Sequence, residues 1–438
     1  MKEYYYLDRV KEKNKYADYL HYELDRRVYS YGNQQKLSYE KVRWWYNVIY
    51  TAVLELLIYV YLHLTTHYST ANKKNVNSNN VLSTAYHGFN EHLKENRYSI
   101  LGTPWVVSKN KNKLKLIDFI TIIRFKTRLL TGDFNDLISS EFSNQIEVVK
   151  SIISNYITKN EIRGIFLPQD VGFFEKLIID EARKKGIPTF VIFHGAALRY
   201  GNTINDNRAD YLCVFGTVLK ERLIQSGFRG EKIVITGHPK YSSIRIPENL
   251  KCDIEDVLVA TKPMPGQPLE VAEVLEGRAR DTNRLKDRGN LILYLMDVQS
   301  ALISIGVKRA RLRLHPSESP SWYLKFIDAS FFSLDTLPLS ESLGKSSLII
   351  GPSSSLFFDA IYGGVNYMVY EPVYDEGLDI LNDPVGYPFD GGDDGIPVAK
   401  NVNELIVLLK SKKSVELQSI EKYISPDFSI QEVINILK

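Results

Sequence analysis

From about residue 135 the chain repeats one unit: an apolar run of four or five residues, a polar or glycine stop, then a stretch with helical spacing. Gly164–Leu167, Thr189–Phe193, Tyr211–Phe215 and Lys232–Thr236 are four such runs, and Val257–Ala260, Ala310–Leu314, Leu348–Gly351 and Tyr367–Tyr370 are four more. Between the first two, Phe173, Phe174, Leu177, Ile178 and Ala182 share one helical face, closed by Gly186 and Pro188. Strand and helix in alternation predict parallel sheets with helices packed on their faces.

A chain of 438 residues is too long for one ordinary core. The pattern therefore predicts an α/β protein of two Rossmann-like domains facing a cleft, with an extra helical N-terminal region. Residues 1–245 form the first domain with its helical additions, residues 257–438 the second, and 244–256 the linker. In the N-terminal region, 1–45 reads as helical and 72–80 as a polar loop, with another helix over 81–98. Residues 46–64 are strongly apolar, but Glu55 interrupts them and they sit at the short limit for a bilayer span. They are expected as a buried helix of the first domain. Residues 105–128 carry seven basic side chains and one acid, Asp118. That imbalance fits either a solvated helix face or a basic edge meeting an anionic acceptor or a membrane surface.

A net charge of +3 gives no reason to expect nucleic acid as a partner. Cys213 and Cys252 have no metal-ligand spacing and form no disulfide framework, and Met1-Lys-Glu-Tyr-Tyr-Tyr has no secretory pattern. A cytoplasmic protein with reduced thiols is the expectation. Walker A, Gly-x-Gly-x-x-Gly, Gly-x-Ser-x-Gly and His-Glu-x-x-His patterns are all missing.

The chemistry-bearing residues gather where apolar runs stop. Arg311-Leu-Arg-Leu-His315-Pro316 delivers an imidazole to a strand end, and Pro316 keeps His315 out of a helix. Ile350-Gly-Pro-Ser353-Ser354-Ser355 delivers three hydroxyls ahead of a helix over Leu356–Tyr362, a pattern that suits phosphate. Glu371 ends the next strand, where a carboxylate suits a ribose diol, and Lys262 follows Val257–Ala260. Across the cleft, Asp170 is placed to act as a base on an acceptor hydroxyl and His194 to approach the acceptor. Asp281 lies among arginines that hold it ionised. It is read either as a nucleophile or as part of a solvated charge run over 278–288. His238-Pro239 falls at the inter-domain turn and reads as structural or cleft-lining.

Arg-Leu-Arg-Leu-His315-Pro316 resembles the HP motif of bacterial CMP-sugar glycosyltransferases, and Ser353-Ser354-Ser355 resembles their SS motif. That group includes capsule polysialyltransferases and the β-Kdo transferases of capsule and lipopolysaccharide assembly. The resemblance is best over residues 160–375 and implies a GT-B-like layout. It implies that His315, Ser353, Ser354 and Ser355 contact the CMP of the donor, that transfer needs no metal, and that no cofactor is required. The acidic-acidic-Gly motif of the polysialyltransferases is missing from the N-terminal half; Asp393-Asp394-Gly395 has that spelling at the other end. A Kdo-type ulosonic acid is therefore the first expectation, with Asp281 the match to the Asp nucleophile of some retaining members. A glycan acceptor, possibly lipid-linked, and a peripheral position at the inner face of the inner membrane follow from the same resemblance. A sialic or other nonulosonic acid transferase, a UDP-sugar 2-epimerase-like isomerase and a catalytically silent glycan-binding subunit are the competing readings.

Overall fold

The computed structural model describes residues 10–12, 14–21, 23–24, 48–61, 79–106, 114–192, 208–225, 227–241, 244–262, 288–316, 318, 320–372, 374 and 387–438. Among these residues twelve strands form two six-stranded sheets, and every strand pair is parallel. The first sheet comprises β1 (Asn79–Ser83), β2 (Tyr98–Leu101), β3 (Ile162–Leu167), β4 (Thr189–Ile192), β5 (Tyr211–Val214) and β6 (Ile233–Ile235), in spatial order 2-1-3-4-5-6. The second comprises β7 (Val257–Ala260), β8 (Ala310–Arg313), β9 (Phe332–Leu334), β10 (Leu348–Gly351), β11 (Asn366–Tyr370) and β12 (Val398–Ala399). Its order, 9-8-7-10-11-12, is that of a dinucleotide-type Rossmann sheet. Two Rossmann-like sheets in tandem make the fold GT-B-like.

The helices used below are α1 (residues 48–61), α2 (His87–Glu95), α3 (Leu116–Thr131), α4 (Ser140–Lys159), α5 (Phe173–Arg183), α6 (Thr217–Gln225), α7 (Arg288–Ser304), α8 (Leu356–Tyr362), α9 (Val402–Ser411) and α10 (Gln431–Leu437). Both sheets are buried on both faces, which is why their strands read as continuous apolar runs. In the first, Ile165 and Leu167 face the cluster built by α3, α4 and α5, while Phe166 between them joins Phe89 of α2 and Ile434 of α10 on the other side. In the second, Val257 and Val259 pack under α7 and α9, and Leu258 between them packs with Phe357 of α8.

The strand–helix reading holds from Ile162 onward, and four strands are additional to it. Residues 79–83 are β1, not the end of a polar loop, and 81–98 hold α2 and part of two strands rather than one helix. β9 and β12 have three and two residues, too short to register as runs. Residues 48–61 are helical as expected, but they are not a core helix. Tyr59 is the one buried side chain on α1, stacked on Phe119 with ring centroids 4.1 Å apart. The physical reason is that, among the described residues, the contacts of α1 run along one stripe facing α3 and Leu114.

The chain's end returns to the first sheet. Val433, Ile434 and Leu437 of α10 lie in the apolar cluster with Phe166 and Phe190, and Ser425 and Ser429 donate backbone N–H bonds to Phe215 and Thr236. Residues 425–437 pack on the first sheet, while Lys422 and Tyr423 just before them meet Asp393 and Phe358 of the second unit. Gly216 makes the crossing possible, because a Cβ there would lie 2.4 Å from the Lys422 carbonyl oxygen.

Candidate functional site

In a sheet of order 9-8-7-10-11-12, the chain runs outward from β7 in one direction and from β10 in the other. The carboxyl ends of β7 and β10 therefore bound the topological switch point, where ligands bind in open parallel sheets. The residues there join into one polar network across four neighbouring strand ends.

On the β8 side, the loop His315-Pro316 is closed by Glu318. Its backbone N–H donates to the His315 carbonyl at 2.9 Å, and its carboxylate accepts the His315 N–H at 2.8 Å. The Thr261 hydroxyl donates to Glu318 and accepts from the same His315 N–H at 3.1 Å. Tyr323 donates its hydroxyl to the other Glu318 oxygen at 2.6 Å. Burial, and next the Glu318 carboxylate beside it, push this phenol well above its ordinary range, so it stays a donor. Glu318 was not singled out from the sequence. An acid three residues after a strand-end histidine, able to close the turn, is the signal that finds it.

On the β10 and β11 side, Glu371 is the centre. Its Oε1 accepts from Lys262 Nζ and from the Ser353 N–H, which ties the strand ends of β7, β10 and β11 together. Lys262 is 3% exposed and Glu371 1% exposed. Glu371 Oε2 is also buried and has no hydrogen-bond partner among the described residues. A buried carboxylate oxygen without a donor is costly and calls for an explanation. Gly351 is required just before the serines: a Cβ there would lie 2.1 Å from the Tyr367 hydroxyl, which donates to the Pro352 carbonyl at 2.7 Å.

His315 and the serines do not end adjacent strands, because β7 lies between β8 and β10. Two inter-strand steps place those ends about 10 Å apart, with Thr261 and Lys262 in the gap. His315 is partly buried, Pro316 exposed, Ser353 buried, Ser354 partly buried and Ser355 exposed. The expected cradle of free N–H groups is narrower than the sequence implied. Ser353 N–H already bonds Glu371, and Leu356 N–H bonds the Ser354 hydroxyl at 3.3 Å.

The first sheet's strand ends differ. Asp170 is 0% exposed, and its Oδ2 accepts from the backbone N–H groups of Arg208 and Ala209 at 2.9 and 3.2 Å. That is a buried carboxylate holding a turn. His194 and Asp281 lie outside the described residues. Asp393, in the misplaced acidic-acidic-Gly spelling, pairs with Lys422 at 2.8 Å and accepts from Tyr423. His238 stacks on Tyr86 at 5.6 Å and packs edge-on to Phe215 at 4.6 Å. Burial, then the Lys240 charge, push its imidazole down to about 4. Lys240 and the Tyr241 hydroxyl both reach Asp359 of α8, at 2.5 and 2.7 Å. The first sheet's edge is thus tied to the helix behind the serine loop.

No family model and no curated protein matches this chain. Among solved structures it is similar to the UDP-GlcNAc 2-epimerase of Neisseria meningitidis bound to UDP-GlcNAc, at 11% identity over 82% of this chain and 98% of that one, with a TM-score of 0.41. It is also similar to the UDP-GlcNAc 2-epimerase of Methanocaldococcus jannaschii in complex with UDP-GlcNAc and UDP, at 14% identity over 80% and 94% of the chains, with a TM-score of 0.45. MurG of Acinetobacter baumannii matches at 12% identity over 82% and 98%, with a TM-score of 0.42. At such identities the likeness concerns the fold alone.

Proposed function

We propose that this chain is a nucleotide-sugar-dependent glycosyltransferase whose donor nucleotide sits at the carboxyl edge of the second sheet. The observation that carries the reading is Glu371 Oε2, buried and unpartnered among the described residues at the switch-point end of a Rossmann-ordered sheet. A ribose hydroxyl is a donor of the right kind for that oxygen. Lys262 and the Ser353 N–H hold the carboxylate in place through its other oxygen.

The imidazole of His315 and the hydroxyls of Ser354 and Ser355 then stand on the phosphate side. As the bond from sugar to phosphate breaks, negative charge grows on the leaving nucleotide, and fixed donors lower that barrier. The resemblance of the His315-Pro316 and serine stretches favours CMP as the nucleotide. The sugar is then an ulosonic acid, Kdo first, passed to a surface-glycan acceptor of lipopolysaccharide or capsule type. The mechanism as read requires no resident cofactor.

A thermal-shift panel of CMP, CDP, UDP and GDP tests the reading, because a ligand that binds only the folded state raises stability by mass action. CMP is expected to raise Tm most. A larger rise with UDP would move the assignment to a UDP-sugar transferase or epimerase, and no rise with any nucleotide would remove it.

A further inference from the structure

The outward side of α1 is apolar where a surface helix is ordinarily polar. Ile49, Val53, Leu54, Leu57, Ile58 and Tyr61 are 40–66% exposed. Glu55, the one charged residue in 48–61, points the other way and pairs with Lys126 of α3 at 2.8 Å. Leu116 and Ile117 in the first turn of α3 are 47% and 66% exposed, beside the end of α1 where the Tyr59 hydroxyl donates to the Leu114 carbonyl at 2.6 Å. Between the two helices runs an open groove of about 480 Å³, with Ala52 and Leu56 on one wall and Ile120 and Ile123 on the other. Arg124 stands at its lip.

An apolar face of this extent on a surface helix marks an interaction site. Its charges indicate the partner. Arg124 and Lys115 are exposed, and their side chains form no ion pair among the described residues. Glu55 is already paired with Lys126, and Asp118 is the one acid in the first turn of α3. A second copy of this face, related by two-fold symmetry, would bring the same cations against these. An anionic, amphipathic layer complements both the apolar side chains and the free cations. Its described residues, 48–61, span about 21 Å at 1.5 Å per residue, less than the roughly 30 Å hydrocarbon core. No helix among the described residues is long and apolar enough to cross a membrane.

We propose that the face formed by α1 and the start of α3 docks on an anionic bilayer surface. Leu57, Ile58 and Tyr61 enter the acyl boundary, and Lys115 and Arg124 sit at headgroup level. This assignment is independent of the nucleotide site.

The test is flotation of the full chain with vesicles of phosphatidylcholine, and of phosphatidylcholine mixed with phosphatidylglycerol. The wild type is expected to float with the mixed vesicles and to detach as salt rises. Leu57→Glu combined with Ile117→Glu is expected to lower that partition at least tenfold, and Arg124→Glu several-fold. All three side chains are exposed, so an unchanged Tm and an unchanged nucleotide-induced shift will show that the variants fold. A wild type that ignores anionic vesicles overturns the proposal, as does binding that the double variant leaves intact. A dimer that Leu57→Glu disperses, with no vesicle binding, also overturns it and makes the face a subunit interface.

Discussion

Asp170 and Glu371 occupy corresponding places in the two sheets. Each follows an apolar parallel strand, each is almost wholly buried, and each accepts backbone N–H bonds. They differ in surroundings. Asp170 holds a turn through two backbone N–H groups at one edge of the first sheet. Glu371 is held by an ammonium and one N–H on a single oxygen, with the other oxygen unpartnered among the described residues. Two strand-end acids alike in burial thus differ in how their oxygens are satisfied among the described residues, a property that position in the strand does not reveal.

The largest expected effect is at Lys262. Lys262→Met leaves the buried Glu371 charge without its counter-ion, and breaking such a pair costs about 3–5 kcal/mol. Replacing both residues by apolar ones of similar volume is expected to recover most of that loss, read by urea unfolding. A single-variant cost within error of zero would mean that the pair is not buried as described. Asp170→Ala comes next. It orphans one buried and one partly buried backbone N–H group, at about 1–3 kcal/mol for the buried one, while leaving the nucleotide-induced Tm shift intact. Loss of that shift in folded Asp170→Ala would erase the contrast between the two acids.

The smallest effect belongs to His238. Its folded pKa of about 4 lies below its ordinary value of 6.5. The unfolded chain therefore takes up the proton first as pH falls. The contribution is complete above pH 6.5 and is lost as pH drops toward 4. With the ring only partly buried, the loss is about 1–2 kcal/mol, discounted for solvent screening. His238→Phe is expected to show a flatter stability profile across that window than the wild type. Parallel profiles would mean that the imidazole is not held neutral.

The sheets were legible because strands buried on both faces must be apolar throughout. That rule recovered eight strands but passed over β1, whose Asn79-Asn80 start continues a polar run, β2, whose middle is partly exposed, and the two very short strands. Apolar content also announced α1 but misplaced it, since hydrophobicity shows that a surface needs covering and not what covers it. At the site, His315 and the serines were readable as strand stops. The Lys262–Glu371 pair was not, because its members are 109 residues apart and meet only through the strand order. Glu318 was passed over for a different reason: it acts through the turn it closes.

The most direct measurement is a calorimetric titration of CMP into the wild type, Glu371→Gln and Asp170→Asn side by side. Glu371→Gln is expected to weaken CMP binding at least tenfold, about 1.4 kcal/mol, because a fixed carboxylate acceptor for the ribose is lost. Asp170→Asn is expected to bind as the wild type does. Equal affinity in the wild type and Glu371→Gln, or a wild type that takes up no CMP, would contradict a nucleotide site at the second sheet's switch point.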